Sequence, residues 1–139
     1  MALLILSAVA TAALATQLIK IALDLTYYDR EFSLHEIFTT GGMPSSHAAA
    51  VSSLATIIYL IEGVSTGFVI SIVLAGIVLR DAVGVRYTVG KEGQTINAII
   101  KQLKLKIPHQ KFDKGHRPTE VLAGIVLGVF IALLVNGLF

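Results

Sequence analysis

A chain of 139 residues has room for one domain at the usual rate of about one per 100–200 residues. Hydrophobic residues make up 55% and charged residues 14% of it, against about 45–50% and about 25% in a soluble domain, which excludes a disordered chain and argues against a soluble one. Cysteine is absent, so disulfide scaffolds, thiol catalysis, iron–sulfur clusters and cysteine-based zinc sites are excluded, and the net charge of +2 hides an asymmetry: nine of the eleven Lys and Arg residues fall between Arg80 and Arg117.

The first apolar run, Ala2 to Ile19, has eighteen residues without a charge and continues past Lys20 as Ile21, Ala22 and Leu23, long enough to span a bilayer. A cleaved signal peptide is the rival reading. Its basic leading region is missing, and Lys20 stands where a small-residue cleavage site belongs, so a retained helix is expected. The loop from Tyr27 to Gly42 has Arg30 as its only basic residue. The next run, Ala48 to Ile61, reaches the length of a hydrocarbon core of about 30 Å only when Met43 to His47 are added, which places its start near a membrane boundary. Val64 to Leu79 follows after only Glu62 and Gly63, predicting a tight antiparallel hairpin.

From Arg80 to Arg117 the chain carries nine basic residues and three acidic ones, Asp81, Glu92 and Asp113. Short cytoplasmic loops collect Lys and Arg, so this segment is expected to be cytoplasmic. Within it Ile96, Ile99, Ile100, Leu103 and Ile107 recur at helical spacing, with Lys101, Lys104 and Lys106 on other positions. They predict an amphipathic helix of about four turns, either lying in the interface against anionic head groups or packed over the ends of the spans. The last run, Val121 to Phe139, is uncharged. The expected fold is therefore all-α: a polytopic bundle of four transmembrane helices plus one amphipathic interfacial helix, with residues 1–139 forming a single domain.

Polar residues near membrane boundaries are costly unless they face a protein interior, so they are read first as functional. Gly41-Gly42-Met43-Pro44-Ser45-Ser46-His47 has the composition of a loop that presents hydroxyls and backbone N–H groups to a phosphate, or of an ordinary capped helix start. His116 and Glu120 are four apart, so the carboxylate can accept a hydrogen bond from one ring nitrogen and leave the other as nucleophile or base; otherwise Glu120 only complements a helix dipole and His116 is a solvated loop residue. Arg80-Asp81 with Arg86, and Lys20 with Asp24, read equally as site cations or as structural ion pairs. With four spans, all of these clusters fall at the cytoplasmic boundary. Two histidines, a partnered carboxylate, cations and hydroxyls meeting there are the parts for metal-free phosphoryl transfer through a phosphohistidine. A metal set of His47, His116, Glu120 and Asp81 is the nearest rival within the site. His35 and His109 have no matching partners and are expected in solvent. Gly124 and Gly128, four apart, mark either a homo-oligomer face or close packing inside the bundle.

These same residues carry a resemblance. Pro44-Ser45-Ser46-His47 and His116-x-x-x-Glu120 resemble the Pro-Ser-Gly-His and His-x-x-x-Asp elements of the type 2 phosphatidic acid phosphatase and vanadium haloperoxidase superfamily. More closely, the stretches GGMPSSHAA, DAVGVR and GHRPTEVLAG resemble its divergent branch of small bacterial, archaeal and plastid membrane proteins. The resemblance implies His116 as nucleophile, Glu120 as its orienting carboxylate and His47 as the acid for the leaving oxygen, with Ser45 and the Ser46 backbone on phosphate oxygens. The superfamily's Lys-x6-Arg-Pro and Arg-x5-His spacings are absent. Lys20 and Arg86 are assigned the corresponding phosphate-binding roles, with Arg80, Asp81 and Arg117 behind them.

The function expected on these grounds is a lipid phosphate phosphatase in the plasma membrane of a prokaryote. It would need no cofactor or metal, take lipid phosphates as substrate, contact membrane lipids and bind no nucleic acid. A non-enzymatic binder of anionic phospholipid head groups is the first alternative. A small transporter ranks last, because the spans hold few ionisable residues. The basic side of the chain puts the site on the cytoplasmic face.

Overall fold

The structure, a computed structural model, describes residues 1–27, 42–109 and 115–138. Among them the chain forms five helices and no strand: α1 (Ala2–Tyr27), α2 (Ser46–Glu62), α3 (Thr66–Val83), α4 (Val85–Gln102) and α5 (Pro118–Leu138). Ala2–Leu23, the stretch Thr66–Gln102 and Pro118–Leu138 are long and apolar enough to cross a membrane, and Ser46–Glu62 is a shorter apolar helix. At 1.5 Å per residue its 17 residues rise about 26 Å, so the loop before it is needed to complete a crossing, as its length suggests.

Each turn has a local cause. Ser45 caps α2, its side chain accepting from the Ala48 N–H at 3.4 Å. Gly63, at φ +66°, closes α2 by donating its N–H to the Tyr59 carbonyl at 2.9 Å. Two residues later the Ser65 hydroxyl donates to Glu62 Oε2 at 2.7 Å and accepts from the Phe68 N–H at 3.1 Å, starting α3. This is the predicted hairpin, and the rings of Tyr59 and Phe68 meet across it with centroids 5.1 Å apart.

In lipid, moving apolar side chains from solvent to protein gains little, so helices associate through close packing of small residues. Here α1 contributes Ala8, Ala12 and Thr16, α2 contributes Ser45, Ala49 and Ser53, and α5 contributes Gly124, Gly128 and Ala132, all buried and each set spaced by four. A Cβ on Gly124 would strike the Ser45 carbonyl, and one on Gly128 the Ala49 carbonyl. Of the two readings of these glycines, the structure therefore shows packing inside the chain. Ile57, Ile131 and Val135 fill the end of this core away from Ser45. Thr16 satisfies its buried hydroxyl within its own helix, donating to the carbonyls of Ala12 and Ala13.

Packed mainly against α2, α3 also meets α5 near the cluster of Ala48, Ala82 and Val121. The amphipathic helix differs from expectation in its bounds. It begins at Val85, directly after Gly84, and ends at Gln102, leaving Leu103 and Ile107 outside. Gly90 and Gly93, which in sequence look like breaks, are buried within it. Its end is a Schellman-type stop: Lys104 at φ +52° donates to the Lys101 carbonyl and Leu105 to that of Ile100.

Candidate functional site

His116 is placed by its neighbours before its own ring does anything. Gly115 has φ +66°, and a Cβ there would lie 2.5 Å from the Tyr87 nitrogen, so the backbone of this segment rests directly on the first turn of α4. The His116 N–H then donates to the Ala82 carbonyl at the end of α3, at 3.3 Å. The ring is buried, with 3% of the residue exposed, and its Nδ1 lies 3.1 Å from Glu120 Oε2. A carboxylate only accepts, so Nδ1 carries the proton, and in the neutral ring the lone pair is on Nε2. The same Glu120 oxygen accepts from the Arg117 N–H at 3.1 Å, and the Glu120 carbonyl accepts from the Ser45 N–H at 3.0 Å. One residue thus orients the imidazole, caps the start of α5 and ties it to the start of α2.

Beside His116 lies a cleft of about 210 Å³ lined by His47, Ile77, Val78, Asp81, Ala82, Arg86 and His116. Its Arg86 donates through Nε to Asp81 Oδ2 at 2.6 Å, with both side chains partly exposed. That contact uses one edge of the guanidinium and leaves the Nη groups to other acceptors. Lys20 is buried two turns before the end of α1, its Cε close against Gly42, which has φ +83°. His47, on the first turn of α2, lines the cleft together with Asp81, Arg86 and His116.

Four of the sequence-predicted residues therefore share the cleft wall, His47, Asp81, Arg86 and His116, with Glu120 and Lys20 adjoining them. Four others lie off it. Ser45 is fully buried in its capping role, Ser46 is the first residue of α2, Arg80 is exposed with its carbonyl taking the Gly84 N–H, and Arg117 is exposed and reaches Glu120 only through its backbone. The side chain of Asp24 and all of His35 are outside the described residues, while His109 is exposed as expected. No group of three or more His, Cys, Asp or Glu side chains among the described residues comes together to hold a metal ion, so the four-ligand set does not form. Glu120 is already spent on Nδ1 of His116, and Asp81 on Arg86. Ile77 and Val78 were not singled out from the sequence, where nothing separates an apolar residue facing a cleft from one facing lipid.

A family model described as "Divergent PAP2 family" matches residues 2–131. The chain is 31% identical to "Uncharacterized membrane protein YuiD" of Bacillus subtilis (strain 168), over 88% of this chain and 87% of that protein. No solved structure matches.

Proposed function

The chain belongs to the divergent PAP2 family and is an integral membrane protein; from that membership we propose that it is a metal-independent phosphatase of lipid phosphomonoesters or diphosphates. The observation that carries the chemistry is the buried His116–Glu120 pair beside a cleft that also holds Arg86 and His47. The phosphate enters the cleft against the Arg86 guanidinium and the nearby Lys20 ammonium. His116 Nε2 attacks phosphorus in line, forming an N–P bond as the bond to the lipid oxygen breaks. The imidazolium that results keeps its Nδ1 proton on Glu120, whose charge stabilises it. His47 gives its proton to the departing oxygen, then takes one from the water that cleaves the phosphohistidine, so both histidines end as they began.

A bound phosphate dianion beside His47 favours the protonated ring, tying the acid to the presence of substrate. Ser45 acts in this scheme by capping α2 and holding the Glu120 carbonyl, which fixes His47 relative to His116. The basic Arg80–Arg117 side supports a site on the cytoplasmic face of a prokaryotic plasma membrane. That favours lipids phosphorylated on the inner leaflet, such as phosphatidylglycerol phosphate or a polyprenyl diphosphate.

The test is phosphate release from a panel of purified lipid phosphates by the reconstituted chain, with and without a chelator. His116→Asn should abolish release while the protein stays folded, and the chelator should change nothing. Full activity in that variant removes the nucleophile assignment. A wild-type chain that binds these lipids but releases no phosphate from any of them makes it a head-group binder instead.

A further inference from the structure

The apolar face of α4 is left open by the fold. Val85, Val89, Ile96 and Ile99 are all exposed, and at 100° per residue they fall within about a quarter of the helix circumference. Gly90, Gly93 and Ile100 are buried on the adjoining side. Lys91 and Lys101 project from the remaining surface, and past the helix end exposed Lys104 and Lys106 alternate with exposed Leu105 and Ile107. Only Gly84 separates α4 from the last turn of α3. The chain comes back to the same place at Gly115, which touches Arg86 and Tyr87. Both ends of this excursion are therefore held at the boundary where α3 ends and α5 begins.

We infer that α4 docks on the anionic surface of the bilayer, its Val85–Val89–Ile96–Ile99 stripe sunk into the head-group layer and Lys104 and Lys106, past the helix end, on lipid phosphates. Charge selects this occupant: an apolar stripe alone would accept any lipid or another protein, but the Arg80–Arg117 segment to which α4 belongs carries nine basic residues against three acidic ones, which favours a negative surface. Each lysine near such a surface favours contact about fivefold at low salt. Glu92 falls on the same side as the stripe and works against docking, which gives the surface a built-in limit. With 18 residues the helix extends about 27 Å, so it covers a patch of membrane well beyond the cleft. This inference does not rest on the phosphatase reading.

Because the chain has no cysteine, a polarity-sensitive, thiol-reactive fluorophore can be placed at single positions in the full-length protein. Ile96→Cys and Ile99→Cys report the stripe; Gln94→Cys and Ala98→Cys report the opposite side. The labelled chains are reconstituted in vesicles of phosphatidylcholine alone or mixed with phosphatidylglycerol, and quenched with acrylamide, which carries no charge. In anionic vesicles the stripe positions should be quenched about threefold less than the opposite side. The contrast should fall below about 1.5-fold in phosphatidylcholine, and equally so when Lys104→Glu and Lys106→Glu are combined. Equal quenching on the two sides in anionic vesicles overturns the proposal. A contrast that is the same in both lipids overturns the anionic commitment, and protection that grows with protein-to-lipid ratio assigns the stripe to a second copy of the chain and overturns it too.

Discussion

Replacing Gly115 with alanine adds one methyl group at the point where the His116 segment rests on α4. Its Cβ would sit 2.5 Å from the Tyr87 nitrogen and 2.6 Å from the Arg86 carbonyl carbon, where ordinary contact begins at 3.4 Å, so the two backbones must part by about 0.9 Å. The 3.3 Å hydrogen bond from His116 to Ala82 does not survive that movement. Alanine at φ +66° costs about 1–2 kcal/mol, and the overlap adds about 1–3 kcal/mol, for a total of about 2–5 kcal/mol. Gly137→Ala is the control: nothing lies within 4 Å of its Cβ, and it lies in α5, where alanine is about 0.5–1 kcal/mol better than glycine. Thermal unfolding in detergent should separate the two variants clearly, with Gly115→Ala melting lower. Phosphate release should also fall about 100-fold, since a displacement near 1 Å of a reacting group costs that much. A Gly115→Ala protein that melts with wild type refutes the contact; one that melts lower but hydrolyses at the wild-type rate refutes the link between that contact and the site.

Glu120→Gln keeps an oxygen for the Arg117 N–H but removes the charge that steadies the His116 imidazolium; turnover should fall about 10²–10⁴-fold in a phosphate-release assay while the unfolding midpoint barely moves. Because a bound phosphate dianion favours protonated His47, the decline of kcat with rising pH should lie at higher pH than the decline of kcat/KM, read from pH profiles of phosphate release. Identical limbs for the two parameters would remove the coupling between substrate and acid. Membrane orientation is open to impermeant thiol labelling of intact cells: Val64→Cys, in the turn between α2 and α3, should react from outside and Lys104→Cys should not. The reverse pattern would move the site to the outer face.

Much of this molecule can be read from its residues. Uncharged runs place α1, α3 and α5, and the shortness of the Glu62–Gly63 turn dictates the hairpin that Gly63 and Ser65 build. The pairing of His116 with Glu120 follows from a spacing of four on a first helical turn. The role of Ser45 does not follow from its neighbours in sequence. A serine before a helix can cap it or face a ligand, and the choice here is made by α5, whose Glu120 carbonyl takes the Ser45 N–H from 75 positions away. The start of α4 is hidden for a similar reason: Gly90 and Gly93 weaken a helix locally by about 1 kcal/mol each, but burial, which sequence does not display, turns the missing side chains into a packing surface. Gly115 is the same case at the site, a glycine required by a backbone nearly thirty residues earlier.

The hydrogen bond between the Ser45 N–H and the Glu120 carbonyl joins the start of the second helix to the start of the fifth. It therefore also orders events in time. A ribosome delivers α1 to α4 to the membrane before α5 exists, and in that interval Ser45 lacks its acceptor, Ala49 lacks the glycine surface it packs on, and the cleft beside Arg86 lacks one of its two imidazoles. Arrival of the last helix supplies all three at once. A nascent chain interrupted between residues 102 and 116 consequently carries Lys20, His47 and Arg86 but not His116, so the cations and the acid of the proposed chemistry are made first and the nucleophile only when the bundle closes.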